Sequence, residues 1–299
     1  MRKLRSFIAP TVVAGALALV GGLAVAPAQA GGDERRTMPR LVDVRAATHP
    51  GFDRVVFEFS GPLPDYNVQY VDELTQDGSG RTMRIAGQAT LQVGFVNAAA
   101  HNGKGKPTVR KRTAYALPNV MTTVRASDFE GVVTYGIGLA ERTPVKVFTL
   151  SAPSRVVVDI GADFATQWRS VYFLDKDNYI AGKSPYLRAV VRPVLPLTPA
   201  TGVMDRFFAG PTPEERKDGL RRVRSHARDF ADLRIDDGVA HVRLTGGCNS
   251  NGSTFTIADE IQPTLRQFDN VDAVKVYDPA GQTADPHGST DSIPACLEP

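Results

Sequence analysis

Between residues 40 and 161 the sequence repeats one pattern: short stretches in which apolar and polar residues alternate, with no long helical pattern between them. Val55, Phe57 and Phe59 form one such series, and they share a face because successive side chains of a strand point to opposite sides. Further stretches of this kind lie at 66–70, 91–95, 132–135, 145–148 and 155–160. The pattern predicts an N-terminal all-β sandwich over residues 40–161.

The second half contains a pattern typical of a helix with one buried face, because apolar residues recur there at three- and four-residue spacing. The residues concerned are Val203, Met204, Phe207 and Phe208. Thr201 is the expected N-cap of this helix, and Gly210 is expected to end it. Thr212 and Glu215 then form the capping-box pattern of a second short helix.

Strands are predicted on both sides of these two helices. Residues 172–175 and 186–191 precede them, and a hairpin with its turn at Asp237 and Gly238 follows. A further helix over 255–268 and a strand over 274–277 complete the series. This order predicts a C-terminal α+β domain over residues 168–279, followed by a tail over 280–299.

The first thirty residues have the composition of an export signal. A basic head precedes an apolar run over residues 7–26, and Ala28 and Ala30 provide the small residues that a signal peptidase requires. We expect a signal peptide over 1–30 that is cleaved after Ala30, a linker over 31–39, and an exported, extracellular or cell-wall-associated protein. An uncleaved membrane anchor is the alternative, because the apolar run is just long enough to span a bilayer.

Loss of the basic head would take the formal net charge from +3 to 0, so a general attraction to nucleic acid has no support. The chain contains two cysteines, Cys248 and Cys296. In an exported protein such a pair favours a disulfide, which would hold the C-terminal tail, although two buried free thiols are the alternative.

No combination of residues in the sequence indicates catalysis. The histidines are widely scattered, and H-E-x-x-H, G-x-S-x-G and phosphate-loop motifs are absent from the sequence. The sequence therefore predicts no enzyme, no metal site and no cofactor.

One cluster of charges suggests a binding site. Five basic residues lie within nine positions with no acidic residue among them: Lys104, Lys106, Arg110, Lys111 and Arg112. A loop of this kind can bind an anionic polymer such as teichoic acid or the carboxylates of peptidoglycan. The alternative is an ordinary solvated loop.

Two family resemblances accompany these patterns. The segment GFDRVVFEF at 51–59 and the segment VFTLSAPSRVVVDI at 147–160 resemble the opening and closing strands of an AMIN-like domain. That resemblance implies a β-sandwich that binds cell-wall polymer. In the second half, YFLD at 172–175, FFAGPT at 207–212 and DDGVA at 236–240 resemble a GerMN domain of spore-germination and sporulation proteins.

Together these observations favour a non-enzymatic exported protein that binds peptidoglycan or an associated anionic glycan and supports envelope or sporulation-type assembly. One alternative is a structural component that self-associates into rings through edge strands such as 274–277, with or without other envelope proteins. A second alternative is an unrecognised cell-wall hydrolase.

Overall fold

The computed structural model describes residues 38–76 and 78–299, and residues 38–299 form one compact unit. The expected signal peptide, with Ala28 and Ala30, lies outside the described residues. Within the described ranges, none of the helices is both long enough and apolar enough to span a bilayer.

Two antiparallel sheets form the N-terminal domain, as the alternating pattern predicts. The first sheet has the spatial order β1 (Arg40–His49), β2 (Phe52–Ser60), β11 (Ser154–Gly161), β10 (Val145–Ser151). The second has the order β3 (Asp65–Val71), β6 (Ala89–Val96), β9 (Val132–Leu139), β8 (Val120–Phe129), β7 (Arg112–Ala114). A small ribbon of β4 (Leu74–Thr75) and β5 (Thr82–Met83) lies beside them.

The core of the sandwich lies between the two sheets. Phe57 of β2 contacts Phe95 of β6 and Tyr135 of β9, with ring centroids 5.0 and 5.3 Å apart. These rings meet edge to face, which is the favoured geometry for aromatic pairs. The fold class inferred for this half is therefore confirmed.

The C-terminal domain combines strands with four helices in its described residues. One sheet has the order β13 (Leu187–Val194), β12 (Gln167–Asp175), β14 (Leu220–Arg221), and the other the order β15 (Asp229–Asp236), β16 (Val239–Thr245), β17 (Ala273–Tyr277). The helices are α1 (Lys176–Ile180), α2 (Pro199–Ala209), α3 (Pro213–Lys217) and α4 (Ile257–Arg266), followed by a 3-10 turn at Ala295–Leu297. This is the α+β class that the sequence predicts.

Helix α2 begins earlier than the sequence pattern indicates. Its N-cap is Thr198 and its first residue is Pro199, so Thr201 lies inside the helix rather than at its cap. Proline is favoured at this first position because its fixed φ suits a helix and its missing N–H has no intrahelical partner there. The end of α2 at Gly210 and the capping box of Thr212 and Glu215 are as predicted.

Helix α2 also joins the two domains. Its residues Val203 and Phe207 belong to one apolar cluster with Ala86, Ala114 and Met121 of the sandwich. The core of the C-terminal domain therefore extends onto the outer surface of the sandwich, whose own core is a separate cluster.

Two charged residues of α2 are buried at this junction. Arg206 is fully buried, and burial lowers its pKa to about 9. It donates hydrogen bonds to the main-chain oxygens of Tyr115 (3.3 Å), Leu117 (2.6 Å) and Pro118 (3.0 Å). The neighbouring Asp205 accepts a 2.8 Å bond from the side-chain amide of Gln88, and burial raises the pKa of Asp205 to about 7.

The C-terminal tail is attached to the last sheet in two ways. Cys248 and Cys296 form a disulfide, as the sequence favours. Ser292 pairs with the outer edge of β17, accepting from the N–H of Val276 at 2.9 Å and donating to the oxygen of Val274 at 3.2 Å. The chain's own tail therefore occupies the edge over 274–277, which the sequence suggests for self-association.

Candidate anion-binding cleft

A cleft of about 680 Å³ lies where the two domains meet, and its lining is strongly basic. We call it the arginine cleft. Its basic lining residues are Arg81, Arg84, Lys111, Arg112, Arg216, Arg221, Arg222, Arg224 and Arg228. Its volume falls within the range of about 300–1,000 Å³ that is common for ligand sites.

Three separate segments supply these nine residues. The first pair comes from the loop around β5, the second pair from the segment leading into β7, and the remaining five from residues 216–228 after α2. Helix α2 brings the segments together, because it packs on β8 of the sandwich while its end leads into α3 and β14.

Main-chain oxygens hold several of the arginines in place. Arg112 donates to the oxygen of Arg84 at 3.0 Å, and Arg216 donates to that of Pro211 at 2.9 Å. Arg222 donates to the oxygen of Phe208 at 3.0 Å while its guanidinium lies 5.0 Å from the centroid of the Phe208 ring. Each of these groups retains further N–H donors, since a guanidinium has five.

Within the described residues the positive charge of the cleft is only partly offset, by the nearby carboxylate of Asp229, whose charge acts on Arg84, Arg112 and Arg222. No described acidic residue lines it, and none of its nine basic side chains forms a salt bridge with a described carboxylate. Burial, reinforced by the charge of Arg222, lowers the pKa of Arg112 to about 10. Burial and the charges of Arg221 and Arg110 also lower the pKa of Arg216. An anion bound here would relieve this repulsion.

The five basic residues of the loop that the sequence indicates as a binding site do not all lie at the cleft. Lys111 and Arg112 line the cleft, and Arg110 is near enough for its charge to act on Arg216. Lys104 and Lys106 are exposed on a turn in which the side-chain oxygen of Asn102 accepts both of their main-chain N–H groups at 3.0 Å, and they do not line the cleft.

Seven of the nine basic residues of the cleft lie outside the basic loop that the sequence indicates as a binding site. A signal was present in the segment RRVRSHAR at 221–228, which supplies four of the lining arginines. Its relation to Lys111 and Arg112 is visible only in the folded chain, because more than one hundred residues separate them.

The described residues contain no group of three histidine, cysteine, aspartate or glutamate side chains that could hold a metal ion. His241, for example, has its Nδ1 2.8 Å from the hydroxyl of Tyr277.

Comparison with known families agrees with the two-domain architecture. The AMIN-like domain family matches residues 39–162, and the family described as sporulation and spore germination matches residues 170–277. No curated protein and no solved structure matches the chain. Neither matched domain is a known catalytic family, and both fit a protein of the cell envelope with a sporulation-related role. The chain is thus built from an AMIN-like domain followed by a sporulation and spore germination (GerMN) domain.

Proposed function

We propose that this protein is an exported, non-enzymatic component of the cell envelope that binds an anionic cell-wall polymer in the arginine cleft. AMIN-like domains are generally associated with cell-wall binding, which supports the class of ligand. The observation that carries the proposal is the set of nine basic side chains around one cleft with no described carboxylate among them.

The geometry favours an extended polyanion over a small compact ion. The basic side chains come from three separate segments of the two domains rather than from a single nest of main-chain N–H groups. Guanidinium groups match phosphate and carboxylate oxygens in bidentate pairs, so a repeating phosphate or carboxylate would satisfy several of them in succession.

Co-sedimentation with purified wall sacculi tests the proposal. The cleft variant is Arg84→Glu with Arg224→Glu, because both side chains are exposed and line the cleft. The matched control is Lys176→Glu with Lys183→Glu, two exposed residues outside the cleft that give the same change in net charge. We expect the cleft variant to lose at least tenfold in affinity and the control to bind like the unaltered protein.

Three further measurements complete the test. Binding should weaken as sodium chloride is raised, because salt screens the attraction between exposed charges. Lys104→Glu with Lys106→Glu should have a smaller effect than the cleft variant, since neither residue lines the cleft. Incubation with sacculi should release no muropeptides. Equal binding by the cleft variant and its control would refute the cleft as the binding site, and released muropeptides would refute the non-enzymatic role.

A further inference from the structure

A second depression lies on the C-terminal domain, away from the arginine cleft. It has a volume of about 560 Å³ and is formed by the start of β12, the middle of β13 and the residues that follow α4. We call it the Trp168 groove. It shares no lining residue with the arginine cleft, and its lining contains one arginine and one aspartate, Arg169 and Asp269.

Trp168 dominates the groove because its large ring is left open to solvent. Its exposed fraction is 61%, although tryptophan is usually well covered in folded proteins. Within the described residues the indole N–H has no hydrogen-bond partner, and no aromatic ring or cation packs against the indole. Val191, across the same sheet, is also 55% exposed.

Hydrogen bonds connect the elements that form the floor of the groove. The side chain of Gln267 accepts from the N–H of Ser170 at 2.9 Å and donates to the oxygen of Ser170 at 2.7 Å, which ties the end of α4 to β12. Arg169 donates to the oxygen of Trp168 at 3.0 Å and lies 5.9 Å from the centroid of the Phe268 ring. A site fixed in this way loses little conformational entropy when a ligand binds.

Two polar side chains stand free at the rim. Asp269 and Asn270 are exposed, and neither side chain has a hydrogen-bond partner among the described residues. Together they offer carboxylate and amide oxygens as acceptors and one NH₂ group as a donor. The single arginine offsets the single aspartate, so the groove as a whole favours a neutral ligand.

We propose that the Trp168 groove binds an uncharged pyranose segment of a glycan. A pyranose ring presents C–H groups on its face and hydroxyls around its edge, so it can stack on the indole while its hydroxyls bond to Asp269 and Asn270. An apolar peptide would bury those two polar side chains without partners, at a cost in free energy. This site differs in chemistry from the arginine cleft and does not depend on the function proposed for that cleft.

Trp168 provides its own assay because it is the only tryptophan in the chain. The probe is the β-1,4-linked tetramer of N-acetylglucosamine, titrated into the full protein while tryptophan emission is recorded. We expect a saturable blue shift, since stacking removes the indole from water. Asp269→Ala and Asn270→Ala should each weaken the binding about tenfold, whereas the controls Asp65→Ala and Asn67→Ala, exposed residues on the sandwich, should not change it.

Calorimetry extends the test to variants that lack the fluorophore. Trp168→Ala should abolish the heat of tetramer binding and Trp168→Phe should retain part of it, with unfolding temperatures near that of the unaltered protein because the side chain is exposed. The cleft variant Arg84→Glu with Arg224→Glu should bind the tetramer normally. The inference is overturned if the tetramer gives no saturable shift up to its solubility limit, or if Asp269→Ala and Asn270→Ala leave the shift unchanged.

Discussion

Removal of the disulfide between Cys248 and Cys296 should lower the free energy of unfolding by about 4 kcal/mol. The two cysteines are 48 residues apart in the sequence, and the bond closes that loop in the unfolded chain. In the chain-entropy relation, a loop of this length gives about 4 kcal/mol at 25 °C. The perturbation is the double variant Cys248→Ser with Cys296→Ser, which removes the bond and changes little else.

Urea denaturation monitored by circular dichroism measures the loss, provided that the slope with denaturant is the same for both proteins. The unaltered protein with reductant is the control, and it should reproduce the double variant. A loss below about 1 kcal/mol would refute the chain-entropy estimate. It would mean that other contacts already constrain the segment between the two cysteines in the unfolded state.

The same variant should also affect the edge of the last sheet. The tail pairs with β17 through Ser292, which lies four residues before Cys296. Without the disulfide, the N–H of Val276 should exchange with solvent faster, as local opening of the tail becomes easier. Exchange at an unchanged rate would show that the hydrogen bonds alone hold the tail.

Three further changes test other parts of the structure. Arg206→Met should lower the free energy of unfolding by about 3–5 kcal/mol, measured in urea, because it removes a fully buried donor group from three main-chain oxygens at the domain junction; a loss under 1 kcal/mol would contradict this. Burial raises the pKa of Glu260 from 4.5 to about 8 and that of Asp205 from 3.8 to about 7, so the folded protein holds these protons more tightly than the unfolded chain. The free energy of unfolding should therefore fall as pH rises from about 5 to 8. Asp205→Asn should make this fall smaller in calorimetric scans; a stability that does not change with pH would contradict the raised pKa values. Gly202→Ala should destabilise the protein by about 1–3 kcal/mol, since the added carbon would lie 2.7 Å from the β-carbon of Val194; a neutral effect in thermal unfolding would mean that β13 moves aside easily.

The strands with one buried face could be predicted from the sequence, because their side chains alternate in polarity. Strand β2 is the clearest case, with Val55, Phe57 and Phe59 inside and the residues between them less buried. Strand β8 could not be predicted from alternating polarity, because nearly all of its residues are buried. One of its faces lies in the sandwich and the other contacts α2. Its residues, including the buried Thr122 and Thr123, do not alternate.

The binding sites were harder to predict than the fold. The pairing of Cys248 with Cys296 could be predicted from residue type together with the export that the sequence indicates. The arginine cleft did not, because charged residues from distant segments become neighbours only when α2 packs on both domains. Asp205 and Arg206 illustrate the same limit: a helix pattern assigns charged residues to the solvent side, whereas here they face the other domain.

The contacts of helix α2 with the sandwich limit the exchange of either domain between proteins. The family matches leave a gap between residues 162 and 170 that looks like a natural cutting point for a chimera. A cut there would expose Met121 and Phe207 to water and leave Arg206 without its carbonyl partners. Neither fragment would be a native module, so a domain exchange in this protein would have to transplant the surface around residues 115–121 together with α2.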